Sequence, residues 1–555
     1  MPVRPASDPQ TELDLRLTTA LLRLPSPDLA TSSECRTVAI LGGGTAGYLT
    51  ALALRKVLPH LAVTLIESSE IPILGVGEAT TPLLPAFLHG SLGLDVEELF
   101  RCVQPTWKLG IRFDWGPPGE ECFNFPFDKG LLLDSRVHEG GINAASLGSL
   151  LMCSGRSPVF ATAGRPPLLW PGPFAYHLEN RRFVRYLQEQ AAAAGIRHVD
   201  RRIVDAKIAP DGETIEHLVT PEGERLAFDL FVDCSGFSSF LLERSLGSPF
   251  VSFRGSLFTD TAITGVIPRG KRLLPYTLAR TMRHGWCWRI PLPEEEHVGY
   301  VFSSAHCDAQ EALSELRAEY PEVGDSRVVP FRAGRHEEFW KGNVVAIGNS
   351  YGFVEPLEST SLHMICLQIA LLIEHFPVYR DEPQARRYAN QYMSSVWDAL
   401  RWFLAIHFKY NRRMATPFWL DCQEQVDVSG AAGIIATFRE RGPLSYRNQL
   451  SVHDSLWGDY GYDVLLLGQD VPGRRVAPRL KRDEWTRLLA RARSLAERAL
   501  PVDEALALCS RHPGLLNGFA AEAPWMQASA LARAHPVIQL TRGAEWTKPH
   551  QPRSQ

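Results

Sequence analysis

The run 37-TVAILGGGTAG-47, continued by 49-LTALALRKVL-58 and then by a second apolar run, 61-LAVTLIE-67, decides the fold. Unbroken apolar runs read as strands buried on both faces, and the helical spacing between them reads as a crossover. This is a βαβ unit. Its glycines fit G-x-G-x-x-G, and they do different things. Gly42 permits the tight turn, Gly44 lets backbone approach a pyrophosphate, and Gly47 lets helix and strand pack closely. Thr45 and Ala46 complete the turn, where the helix N-terminus offers N–H donors and the positive end of its dipole. Glu67 ends the second strand, where a carboxylate accepts hydrogen bonds from ribose hydroxyls and repels a 2′-phosphate. A glycine-rich turn of any α/β protein is the bland alternative. Strand, helix and acid together point to FAD or NAD.

Working outward, the apolar runs FDLFVDCSG (228–236) and NVVAIGN (343–349) read as further strands, separated by mixed segments that look like an inserted sheet. The nucleotide domain is therefore expected to be discontinuous. The late strand ends in Ile347-Gly348-Asn349, and in flavoproteins with two dinucleotide folds such a strand returns to the flavin and ends in Gly-Asp. Asn349 stands here at the acid position, and Gly-Asn is also an ordinary turn. No second G-x-G-x-x-G serves a nicotinamide cofactor, which favours a flavoprotein whose reducing equivalents arrive from elsewhere. After residue 380 the chain reads as mostly helical, with an aromatic-rich helix from about Tyr388 to Lys409 and basic amphipathic helices near 483–500. The expected division is a flexible N-terminal extension over 1–34, an FAD-binding module with an inserted mixed β-sheet over 35–380, and a helical substrate-binding lobe over 381–555. The fold class is α/β, with a Rossmann-like core.

Composition narrows the functions. At 555 residues the chain has material for two or more lobes. With 58 Lys+Arg against 62 Asp+Glu and no long like-charge block, it offers no field for nucleic acid. Ten cysteines, with no C-x-x-C pair, indicate neither a metal cluster nor a disulfide scaffold. The N-terminal segment carries acids and prolines where a signal peptide needs an apolar core, and no later run is long enough for a membrane span. A cytoplasmic protein without membrane contacts is expected.

Several further segments share one resemblance: GVGEAT (75–80), TWKLGIRF (106–113), AYHL (175–178), Trp286-Cys287-Trp288-Arg289-Ile290-Pro291, and Glu355-Pro356-Leu357-Glu358-Ser359-Thr360. With GGGTAG they span residues 36 to about 375, and together the chain resembles the flavin-dependent tryptophan halogenases, a branch of the flavin monooxygenase-like proteins. W-x-W-x-I-P within that frame is the diagnostic piece. The resemblance implies FAD, supplied as FADH2 by a separate flavin reductase, with chloride and O2 as co-substrates and a tryptophan indole as the acceptor of halogen.

It also implies roles. Lys108, set in a hydrophobic stretch where burial lowers an ammonium pKa, matches the lysine that hydrogen-bonds hypochlorous acid or carries it as a chloramine. Taken alone, the residue also fits a lysine snorkelling at a strand edge. Glu358 matches the carboxylate that stabilises the arenium cation or takes its proton, and Ser359 the serine bonded to the lysine. Both also suit the start of the apolar helix that follows. Thr360 and Ser361 match the halide-binding turn, although the family usually has glycine where Ser361 stands, which restricts a halide's approach. Trp286 and Trp288 match the wall between flavin and substrate; alone they read as core aromatics on one strand face. His177 is read as structural, at a strand-to-helix join.

Substrate recognition departs from the free-tryptophan enzymes. Where many of them have aromatic-His-Pro-Phe, this chain reads Phe123-Asn124-Phe125-Pro126-Phe127, which keeps an aromatic sandwich through Phe125 and Phe127. Their Tyr-Tyr pair, which holds the amino-acid carboxylate, becomes Tyr462-Asp463, and an acid there is expected to repel a free α-carboxylate. These changes favour tryptophan within a peptide or tethered to a carrier; Phe418, Trp419 and Trp457 could line an apolar entrance, but packing of the helical core is the stronger reading of the three. Free L-tryptophan is the alternative substrate; a flavin hydroxylase and a non-catalytic flavin-binding protein are the alternative functions. A homodimer is an allowed assembly.

Overall fold

The computed structural model describes residues 35–71, 77–120, 122–161, 167–376, 383–445, 458–512, 514–522 and 525. The expected N-terminal extension, Gly75 and Val76 of the GVGEAT segment, and Trp457 lie outside the described residues. The βαβ reading holds: Thr37–Leu41 and Ala62–Glu67 pair in parallel, joined by the helix Thr45–Val57. They sit in a six-stranded sheet ordered Arg197–Asp200, Ala62–Glu67, Thr37–Leu41, Leu230–Asp233, Val344–Ala346 and Trp340–Lys341, parallel except at its last pair. The apolar strands are buried on both faces because helices cover the sheet, and the helix Ser361–His375, buried along most of its length, packs on Thr45–Val57.

Between Leu230–Asp233 and Val344–Ala346 the chain contributes most of a seven-stranded sheet, ordered Arg327–Pro330, Thr261–Pro268, Glu295–Phe302, Gly285–Pro291, Thr277–Met282, Gly110–Asp114 and Phe123–Pro126. Only the pair Thr277–Met282 with Gly110–Asp114 is parallel. This is the expected inserted mixed sheet. A smaller sheet of Gly77–Ala79, Ala175–Glu179 and Thr106–Lys108 lies alongside. Lys108 is therefore the last residue of a strand in one sheet, and Gly110 the first of a strand in the other. Leu109 makes the switch: its N–H donates to Pro275 O and its carbonyl accepts from Phe127 N–H.

The aromatic-rich helix runs further than its periodicity suggested, over Pro383–Tyr410. The basic helix is Arg482–Glu497, and the chain then adds the strand Ala499–Pro501 to Arg156–Phe160. No helix among the described residues is long and apolar enough to cross a membrane.

Candidate functional site

At the nucleotide end, the open feature is backbone. Gly42 has φ +123, and a Cβ there would lie 2.2 Å from Cys234 O, so only glycine fits the crossing of turn and strand. Gly47 is equally closed, with Gly42 O at 1.9 Å from an added Cβ. At Gly44 the same construction meets nothing within 4 Å, and Gly44 heads the helix Thr45–Val57 without any side-chain cap. Uncapped N–H groups facing open space suit a pyrophosphate. Glu67 stands over this loop: a Cβ on Gly43 would collide with its Oε2. Its Oε1 accepts from Tyr48 OH at 2.8 Å and lies 2.7 Å from His198 Nε2. Thr45 Oγ1 donates to Asn180 Oδ1, and Gly348 packs near Ala46 while its N–H donates to Gln368 Oε1. The donor set fits FAD.

A small cavity next to this end is lined by Gly348, Asn349, Thr360, Ser361, Met364 and Trp397 among others. It joins the late strand's Gly-Asn to the turn expected to hold halide. The helix begins at Ser361, later than the sequence suggested: Glu358 closes a 3-10 turn, Pro356–Glu358, and Ser359 takes a left-handed conformation at φ +58. The correction has a physical reason. Pro356 and the reversal at Ser359 break the helical repeat before the apolar run establishes it.

That reversal points Ser359 at the lysine. Lys108 is fully buried, and its Nζ donates to Ser359 Oγ at 2.7 Å and to Thr80 O at 2.9 Å. Burial pulls its pKa down to about 7, partly countered by the charge of Glu358. A snorkelling lysine is excluded by this geometry. Glu358 is 2 % exposed, and its Oε1 lies 2.7 Å from His407 Nε2. Aromatic rings gather around this pair: Phe127 lies 5.4 Å from Lys108 Nζ, while Phe125 sits tilted between Phe113 and Phe403 at 6.5 and 6.3 Å, and Tyr462 meets Phe403 edge-on at 5.0 Å.

Trp286 and Trp288 share one face of the central strand Gly285–Pro291, with ring centroids 6.0 Å apart. Trp286 Nε1 donates to Glu355 Oε2 at 2.6 Å, and Thr259 Oγ1 donates to Glu355 Oε1 at 2.8 Å. Burial raises the Glu355 carboxyl to about 7. Trp288 lies flat on Gly299, where a Cβ would sit 2.0 Å from its ring.

One expectation needs correction. Asp463 does not face a substrate: its carboxylate is buried and accepts from Leu444 N–H, Ser445 N–H and Ser445 Oγ, so it caps a neighbouring segment. Phe418 and Trp419 are fully buried, Trp419 Nε1 donating to Met282 O, and so form core instead of an entrance. At the strand-to-helix join the cap is Glu179, which accepts from Arg181 N–H and Arg182 N–H. His177 bridges Thr106 and Thr277 at 3.1 and 3.0 Å, and burial holds its pKa well below the usual value.

Sequence reasoning missed His407, Glu355 and the backbone carbonyl of Thr80. Glu355 lay within a quoted motif, and an acid in an apolar setting signals a hidden partner. His407 gave no local signal, because its partner lies 49 residues away.

Comparison with known proteins shows the family. The profile of the family "Tryptophan halogenase" matches residues 37–484. The tryptophan 6-halogenase SttH of Streptomyces toxytricini is 34% identical, covering 83% of this chain and 95% of its own length. The tryptophan 7-halogenase RebH of Lentzea aerocolonigenes is 30% identical, with 81% and 92% covered. The crystal structure of MibH, a lanthipeptide tryptophan 5-halogenase, superposes with a TM-score of 0.86 at 44% identity, covering 92% of this chain and all of that one. The chain belongs to the tryptophan halogenases, a family of flavin-dependent enzymes.

Proposed function

We propose that the chain is an FADH2- and O2-dependent chlorinase of a tryptophan indole carried within a peptide or otherwise tethered. One observation carries the reading: Lys108, hydrogen-bonded to Ser359 with Glu358 close by, is fully buried beside the ring of Phe127. Gly42, Gly44, Thr45, Ala46, Gly47 and Glu67 would hold FAD, which, reduced by a partner reductase, would supply the O2 activation that converts chloride to hypochlorous acid. The chain's residues govern the rest. Thr360 and Ser361 border the chloride site, and the small cavity between them and Gly348 supports that placement. Trp286 and Trp288 keep the organic substrate from the flavin.

Lys108 hydrogen-bonds hypochlorous acid or attacks it. In the second case an N–Cl bond forms as the O–Cl bond breaks, and the departing hydroxide takes an N–H proton from the amine and leaves as water. An amine with its pKa near 7 is available in neutral form for this step, whereas an ordinary lysine is not. Phe125, Phe127 and Tyr462 hold the aromatic guest. As chlorine bonds to a ring carbon, Glu358 faces the developing positive charge and takes the proton.

With Asp463 committed to a cap, charge repulsion no longer argues against the free amino acid. The peptide reading is supported by the loss of the histidine clamp at Phe125 and by the higher likeness to a lanthipeptide enzyme, 44% against 34% for SttH. Mass spectrometry of assays with FAD, a reductase and NaCl, run on free tryptophan and on tryptophan-containing peptides, tests it. A chlorine isotope pattern on peptide is expected. Chlorinated free tryptophan alone overturns the substrate reading, and chlorination of neither overturns the function.

A further inference from the structure

His407 touches Glu358 from a helix that carries no other residue of the proposed chemistry. Its ring is 1 % exposed and enclosed by Phe113, Phe403 and Trp115, with centroids 5.3, 5.3 and 6.0 Å away. Its Nδ1 lies 3.0 Å from Phe403 O, one helical turn back, and its Nε2 lies 2.7 Å from Glu358 Oε1. A carbonyl oxygen only accepts, so Nδ1 carries a hydrogen. The contact of Nε2 with a carboxyl oxygen then contains one further proton, on the ring or on the acid. With Nδ1 anchored, the imidazole cannot rotate away, and the aromatic walls leave it no second position.

We infer that His407 is the positioning residue of Glu358: it occupies Oε1 and fixes the plane of the carboxyl group that receives the ring proton. The inference rests on Glu358 acting as the base of the proposed chlorination. In that step the C–H bond at the chlorinated carbon breaks, its electron pair restores the aromatic ring, and the proton passes to Glu358. Each part of the imidazole has a separate job: Nδ1 ties it to its own helix, and Nε2 transmits that fixed position to the acid.

The two jobs can be separated in the holoenzyme, with FAD, a reductase, NaCl and whichever tryptophan substrate the parent chlorinates. His407→Gln places an amide donor near the Nε2 position, His407→Asn near Nδ1, and His407→Phe removes both. His407→Phe and His407→Asn are expected to lower kcat for chlorination about 30-fold, with KM within about twofold, while consumption of reduced flavin and release of hypochlorous acid to a chlorinatable reporter persist. His407→Gln is expected to recover about tenfold of that loss. In a Glu358→Gln background, His407→Phe should add no further loss. His407→Gln as slow as His407→Phe at an unchanged melting temperature overturns the inference, as do losses that add fully to Glu358→Gln.

One measurement does not depend on turnover. In the histidine-labelled protein, NMR should find a protected proton in the contact of His407 Nε2 with Glu358, and the Nε2 shift should move on Glu358→Gln. No movement overturns the pairing. A parent enzyme that shows the movement yet chlorinates nothing overturns the proposed reaction and leaves the pairing standing.

Discussion

The glycine loop and the surroundings of Lys108 are built by opposite means. At the loop, ligand-facing groups are backbone N–H donors exposed because side chains are absent, with Gly44 open above and Gly42 closed below. Around Lys108, the groups are polar side chains brought into an apolar interior from segments far apart: Lys108 and Ser359 are separated by 251 positions, and Glu358 and His407 by 49. Backbone recognition is local and tolerates solvent. Side-chain recognition in a dry site depends on the whole fold, and its electrostatics are strong because water is excluded.

If that contrast is right, damage around Lys108 should abolish chemistry without affecting flavin binding. Lys108→Ala should cut chlorination by about 10³-fold or more while reduced flavin is still consumed, as followed by mass spectrometry and flavin absorbance together. Hydroxylated product from that variant would instead favour direct oxygen transfer. At the loop the contrast sharpens between neighbours. Gly44→Val should weaken FAD affinity roughly 10- to 100-fold at an unchanged melting temperature, since its side chain enters open space. Gly42→Ala should lower stability by about 2–4 kcal/mol, because its Cβ meets Cys234 O and its φ is +123.

A smaller effect separates the two regions by pH. Lys108, drawn down to about 7, is an ammonium below that pH and an amine above it. Chlorination under saturating FAD should therefore rise several-fold between about pH 6 and pH 8, while FAD affinity does not follow that curve. The mildest change is Asp463→Asn. It should weaken the cap of Leu444 and Ser445 and lower stability by about 1–2 kcal/mol, with the preference between free and peptide-bound tryptophan unmoved. A marked gain in use of free tryptophan would return Asp463 to the pocket.

The same contrast explains what is legible in the sequence. The loop announces itself because strand, glycines, helix and Glu67 are consecutive, and each obeys a local rule. Lys108 is legible as a lysine among apolar neighbours, yet its depth comes from two sheets meeting at Leu109, which no local pattern encodes. Asp463 misleads because it adjoins Tyr462 on the helix Gly458–Gly468, where successive residues point about 100° apart. Adjacency in sequence is not adjacency in space there. His407 is invisible for the converse reason: among Phe403, Phe408 and Trp402 it looks like packing, and only the fold sets it beside Glu358.

The left-handed backbone at Ser359 narrows which replacements this position will accept. Threonine, the routine conservative exchange for serine, retains the hydroxyl but adds a branch at Cβ that such a conformation disfavours. Glycine and asparagine suit the backbone but abandon the hydroxyl that meets Lys108. Serine alone meets both demands, so a lineage drifting from it, or a library sampling it, has no neutral neighbour to pass through.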